Sequence, residues 1–189
     1  MESTKKIILE NQSLIYVIRH FSSIDETCTL ELKNQGYSDR EIQEKLKTLG
    51  SKFNADFALS PMSLVVELSK RKPKMVIEQA NQRTAYIYEF SKQIGCDSIC
   101  SMDELSPSLH SNIQAEMRGD YEVHSIELNT FLATNQLVAV VENETSKLIT
   151  LFPGRYAPPF PNAQQSEIEH EEATKFWEQH LFIKPRSHE

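Results

Sequence analysis

Two apolar runs, Leu137–Glu142 and Leu148–Phe152, are separated only by Asn143-Glu144-Thr145-Ser146-Lys147. A parallel crossover needs a dozen or more residues, so this short link joins the runs as an antiparallel hairpin. Upstream, Arg118-Gly119-Asp120 reads as a turn and Tyr121–Leu128 has strand composition; residues 121 to 152 are therefore expected as an antiparallel meander, with Asn143–Ser146 at an exposed tip and Val140 in the core. Downstream, the prolines of Pro153-Gly154-Arg155-Tyr156-Ala157-Pro158-Pro159-Phe160-Pro161 lack the N–H donors of a central strand, which makes this stretch an extended turn. Ser166–His180 then reads as a closing helix, with Ile168, Phe176, Trp177 and Leu181 on one packing face.

The first half carries helix punctuation instead. Asp25–Gln35 is a helix stopped by Gly36, Ser38 and Glu41 have capping-box spacing ahead of Ile42, Leu46 and Leu49, and Gly50 closes that second helix. Ser60-Pro61 opens a third, with the stripe Leu64, Val65 and Leu68, ending at the basic break Lys70-Arg71-Lys72-Pro73. Leu14–Ile18 reads as a buried strand ending in Arg19-His20-Phe21; Met75–Ile94 admits one helix, or a strand and then a helix; Pro107–Met117 reads as a helix. The expected class is α+β: helices in the first half, an antiparallel meander in the second, and a C-terminal helix, in a single domain over 1–189 with a candidate sub-boundary near 70–75.

Charge and composition narrow the function classes. A formal charge of −7 disfavours nonspecific binding to phosphate backbones and anionic membranes. Thr29–Lys47 has helix-turn-helix spacing, but its second helix mixes Asp39, Glu41 and Glu44 with Arg40, Lys45 and Lys47, so an ordinary helical hairpin and no specific DNA binding are expected. The apolar runs are too short to span a bilayer, and Met1–Lys6 leads into no apolar signal region, which implies a cytoplasmic protein without a membrane partner. Cys28, Cys96 and Cys100 lack metal-type spacing and read as reduced thiols; His170 and His180 are ten residues apart, so no metal site is expected. Five scattered glycines give no phosphate-cradling loop, and no cofactor is expected.

Two resemblances bear on chemistry. Tyr16-Val17-Ile18-Arg19-His20, with Gly36, Asp39, Ile42, Leu46 and Asp56-Phe57-Ala58-Leu59-Ser60-Pro61, resembles the opening of the histidine phosphatase superfamily, in which a strand ends in the nucleophilic histidine. Phe21 stands where that family has a glycine and Leu64 where it has an arginine, so the likeness implies a degenerate member; the plain reading of His20 is a histidine satisfied by a backbone carbonyl. The second half, Arg118–His124, Leu137–Val141 and Lys147–Pro153, resembles the meander of ribonuclease toxin domains of the barnase, EndoU and RelE type.

That likeness implies metal-independent RNA cleavage, with His124 as base or acid, Arg118 or Arg155 as the cation, and Thr150 and Tyr156 orienting the phosphate. Against it, Asp103–Asn162 is acidic on balance. The alternative is a protein-binding module without catalysis, in which Tyr156, Phe160, Trp177 and Phe182 form an aromatic surface; the same side chains equally serve to pin the terminal helix to the sheet.

Overall fold

The computed structural model describes residues 6–186, so most of the Met1–Lys6 stretch lies outside the described residues. The chain forms two compact units, one comprising residues up to Cys96 with Ala133–Arg155, the other Asp97–Leu132 with residues from Tyr156 onward. The basic break Lys70-Arg71-Lys72-Pro73 falls inside the first unit, at the passage from its last helix to its first long strand. The class is α+β. No helix among the described residues is long and apolar enough to cross a membrane.

In the first unit the helix starts are as read, but the second capped helix ends at Leu46 rather than at Gly50, and Leu49 is 70% exposed. Helix α1 (Leu14–Val17) is followed by α2 (Glu26–Asn34), where the Asp25 carboxylate accepts from the Cys28 amide at 2.8 Å. Helix α3 (Asp39–Leu46) starts with a complete capping box: the Ser38 amide donates to Glu41 Oε2 at 2.7 Å, and the Glu41 amide to Ser38 Oγ at 3.2 Å. Ser60 caps α4 (Pro61–Lys70), which carries Pro61 in its first turn.

Leu14–Ile18, however, is not a strand. It is α1 running into a 3-10 turn, Ile18–His20. Leu14, Ile15, Val17 and Ile18 are buried while Tyr16 is 63% exposed, a spacing that fits one face of a helix, and core packing there overrides the β-branched composition. Met75–Ile94 is not helical either. It forms β2 (Met75–Gln79) and β3 (Arg83–Glu89), an antiparallel hairpin turning through Asn81 and Gln82, both at positive φ.

The short β1 (Lys52–Phe53) pairs with β4 (Gly95–Asp97) through Lys52↔Cys96 and Phe53↔Gly95. The main sheet of this unit also contains β9 (Gln136–Glu142) and β10 (Leu148–Pro153), with strand order β10-β9-β3-β2 and every pair antiparallel. Tyr88, Leu137, Ala139, Val141, Leu148 and Leu151 turn toward a core shared with the helices, where Phe21 meets Phe53 at 5.1 Å. Ala85, Ile87, Val138 and Val140, on the opposite face, are buried as well, which explains why β9 is a continuous apolar run. Asn143, Glu144 and Thr145 are exposed at the tip of the β9–β10 hairpin, as expected, and Ser146 is half-buried. The Asn143 amide donates to Gln82 O at 2.8 Å, and Ser146 O accepts from the Ile8 amide at 2.9 Å.

The second unit overturns the meander. Tyr121–Leu128 is β7, and it pairs not with β9 but with β6 (Gln114–Arg118), antiparallel, and β11 (His180–Pro185), parallel. With β5 (Ile99–Ser101) the order is β5-β11-β7-β6. The helix expected over Pro107–Met117 is a 3-10 turn, Pro107–Asn112, followed by β6, whose good helix formers are recruited by pairing across the Gly119-Asp120 turn. Helix α5 (Glu167–Gln179) does not close the chain, since β11 follows it directly, and Ile168 is 69% exposed rather than packed. The remaining strand, β8 (Leu132–Thr134), lies beside β4.

Candidate functional site

Strand register decides where the candidate catalytic residues point. In the β6–β7 ladder Arg118 stands opposite Tyr121 and Ala115 opposite His124. Side chains alternate along a strand, so Arg118 shares a face with Tyr121 and Val123, whereas His124 shares the other with Ile126 and Leu128. Arg118 and His124 therefore point to opposite faces of one sheet. Thr150 lies on β10 opposite Val140, beside a register shift in the first unit, and Arg155 ends that unit; Tyr156 begins the second. Both Arg155 and Tyr156 are partly buried.

The surroundings of Arg118 give it a structural task. Its guanidinium lies 5.4 Å from the Phe160 ring centroid and 5.5 Å from that of Phe182, with Nη2 at 3.0 Å from Glu116 Oε1. Glu116 also takes the Lys184 ammonium, and this contact, helped by Arg118 and Ser125 and opposed by partial burial, holds the Glu116 carboxyl below the usual range. The cation is thus committed to two ring faces and a carboxylate. His124 makes only a loose approach to Glu122, at 3.9 Å.

Arg118→Ala is accordingly expected to lower stability by about 1–2 kcal/mol, through lost ring packing and a weakened Glu116 pairing, whereas His124→Ala should stay within roughly 0.5 kcal/mol of wild type. Urea unfolding midpoints check this, and the reverse order would contradict it.

The aromatic residues of the second unit form packing rather than an open surface. Phe160 meets Trp177 at 4.4 Å, and Phe176 meets Trp177 at 5.1 Å. Trp177 is 5% exposed, and its indole N–H donates to Pro158 O at 3.1 Å. The extended proline segment and α5 are pinned together over Val123 and Ile99.

His20 makes the carbonyl contact expected of it, with Nδ1 at 3.0 Å from Ser51 O. Its ring packs 5.7 Å from that of Phe152. Burial pushes the imidazole down to about 4, with Arg19 and Lys52 adding to the effect and the Ser51 carbonyl opposing it. A neutral, carbonyl-bound histidine at the end of a helical turn lacks the strand-end setting that the phosphatase likeness implied.

A shallow groove of about 330 Å³, lined by Ile15, Tyr37, Glu41, Glu44, Lys45 and Thr48, lies along α3. Its carboxylates are already engaged, Glu41 in the cap of α3 and Glu44 with Arg40 at 3.1 Å. Among the described residues, no cluster of three His, Cys, Asp or Glu side chains is placed to hold a metal ion.

The feature that sequence reasoning missed is β2. It is the last strand of its sheet, and no other strand among the described residues lies along its outer side. Met75 and Val76, on opposite faces, are 53% and 52% exposed. The basic run before it was legible, but it reads as a break until β2 is known to be a strand.

Neither a family model nor a curated protein matches this chain. A solved structure of a conserved hypothetical protein from Toxoplasma gondii ME49 is similar at a TM-score of 0.47 and 5% sequence identity, covering 68% of this chain and 88% of that one. A likeness at that level carries no argument about function.

Proposed function

We propose that this chain works by binding a partner protein, without catalysis, and that β2 is the element that engages it. The observation that carries this reading is an edge strand with apolar side chains exposed on both faces. Such an edge offers unpaired main-chain groups for an added strand, with side-chain positions on either face to select what is added. Ribonuclease chemistry is the competing reading. The opposed directions of Arg118 and His124, and the engagement of Arg118 by Phe160, Phe182 and Glu116, weigh against it.

The test measures RNA and growth together. Cells making folded wild-type protein are expected to grow as well as cells making His124→Ala, with RNA intact in both, and the purified chain should leave RNA uncut. Cleavage that yields 2′,3′-cyclic phosphate ends and disappears in His124→Ala would reverse the assignment.

A further inference from the structure

We infer that the occupant of the β2 edge is an extended, acidic segment of a partner protein, an inference that rests on the recognition reading above. The argument begins with charge. In a chain of net charge −7, Lys70-Arg71-Lys72-Pro73-Lys74 places four cations in five residues, immediately before β2.

Two of these cations are held against β3. The Arg71 guanidinium lies 4.1 Å from the Phe90 ring centroid and donates to Glu89 O at 3.3 Å, and the Lys74 ammonium pairs with the Glu89 carboxylate at 2.8 Å. Lys70 and Lys72 are exposed beside them. At the far end of the hairpin, exposed Arg83 stands opposite Gln79, and Glu78 is the one acidic side chain on the strand itself. The edge is thus apolar at Met75 and Val76 and cationic where it begins, at Lys70–Lys74. An added strand that covers the two apolar side chains and carries carboxylates toward the net-positive Lys70–Lys74 run satisfies both features.

Other occupants fit less well. Single-stranded nucleic acid binds on aromatic platforms, but the Phe90 ring beside this edge already carries Arg71. A second copy of the chain, with β2 paired antiparallel about Ile77, would set Met75 opposite Gln79 and Val76 opposite Glu78, apolar against polar.

The experiment uses the full chain and three labelled probes of equal length: an extended peptide of alternating aliphatic residues with an acidic end, the same peptide with lysines at that end, and oligouridylate. Fluorescence anisotropy is read at low and high salt, with amide hydrogen exchange to locate the contact. The acidic peptide is expected to bind tightest, to protect amides in Met75–Gln79, and to weaken with salt. Lys70→Glu with Lys72→Glu should weaken it by about tenfold at unchanged thermal stability, as charge reversal at a complementary rim does.

Equal affinity for the acidic and basic peptides, protection outside β2, preference for oligouridylate, or concentration-dependent self-pairing through β2 would each overturn the inference. So would the absence of binding at millimolar peptide. None of these results cuts RNA, so they are distinguishable from the cleavage that would overturn the recognition reading itself.

Discussion

Gly95→Ala is expected to cost about 3 kcal/mol of stability or more, above the usual range for an added methyl group. A Cβ at Gly95 would lie 2.3 Å from Lys52 O, 3.1 Å from Lys52 C and 3.0 Å from Pro153 Cβ. The closest neighbour is backbone, so no side-chain rotation relieves the clash. Separating the strands would break the Lys52↔Cys96 and Phe53↔Gly95 pairing and the 2.8 Å bond from the Asn54 amide to Ile94 O. It would also disturb Lys52, whose ammonium donates to Leu46 O at 2.7 Å and to Arg19 O, and Phe53, which is fully buried against Phe21. Gly36→Ala is the control. That position has φ +100 with open space around it, so the change brings backbone strain of about 1–2 kcal/mol without a clash. Urea midpoints should fall clearly further for Gly95→Ala, and equal shifts would show that β1 and β4 separate at little cost.

The second large effect is a dependence on pH centred on His20. Its folded-state value of about 4 lies below the ordinary 6.5, so the unfolded chain takes up the proton first as pH falls. Stability from this group is full above pH 6.5, declines between about 6.5 and 4, and levels off below that. The loss totals roughly 3 kcal/mol. Glu10, Glu89 and Glu116, held below the usual carboxylate value of 4.5, add a decline that begins near that value and runs to lower pH. His20→Gln preserves a donor for Ser51 O and should flatten the curve between pH 6.5 and 5 while leaving the acid limb. Parallel wild-type and variant curves across that window would exclude the assignment.

Much of the first unit was legible because its signals act within a few residues of the chain. Ser38 and Glu41 satisfy each other's amides, Ser60 and Pro61 open α4, and the link from Asn143 to Lys147 is too short for anything but a hairpin. The candidate site was legible only as residue types. The Gly119-Asp120 turn placed Arg118 and Tyr121 correctly, but the strand on the other side of that turn was read as helix, so the opposed faces of Arg118 and His124 were hidden. The role of Arg118 depends on Phe160 and Phe182, which reach it from distant parts of the chain.

The sequence by itself determined the helix caps of the first unit, the β9–β10 hairpin and the burial of the Leu137–Val141 run, because capping bonds and a short loop are satisfied locally whatever the rest of the chain does. Only the tertiary structure decided that Leu14–Ile18 is helical, that Met75–Glu89 is a hairpin with an open edge, and that β7 pairs with β6 and β11 instead of continuing into β9. Those segments carry apolar patterns or propensities compatible with more than one conformation. What selects among these conformations is burial against residues far away in sequence, a term that local propensity, worth less than about 1 kcal/mol per residue, does not outweigh.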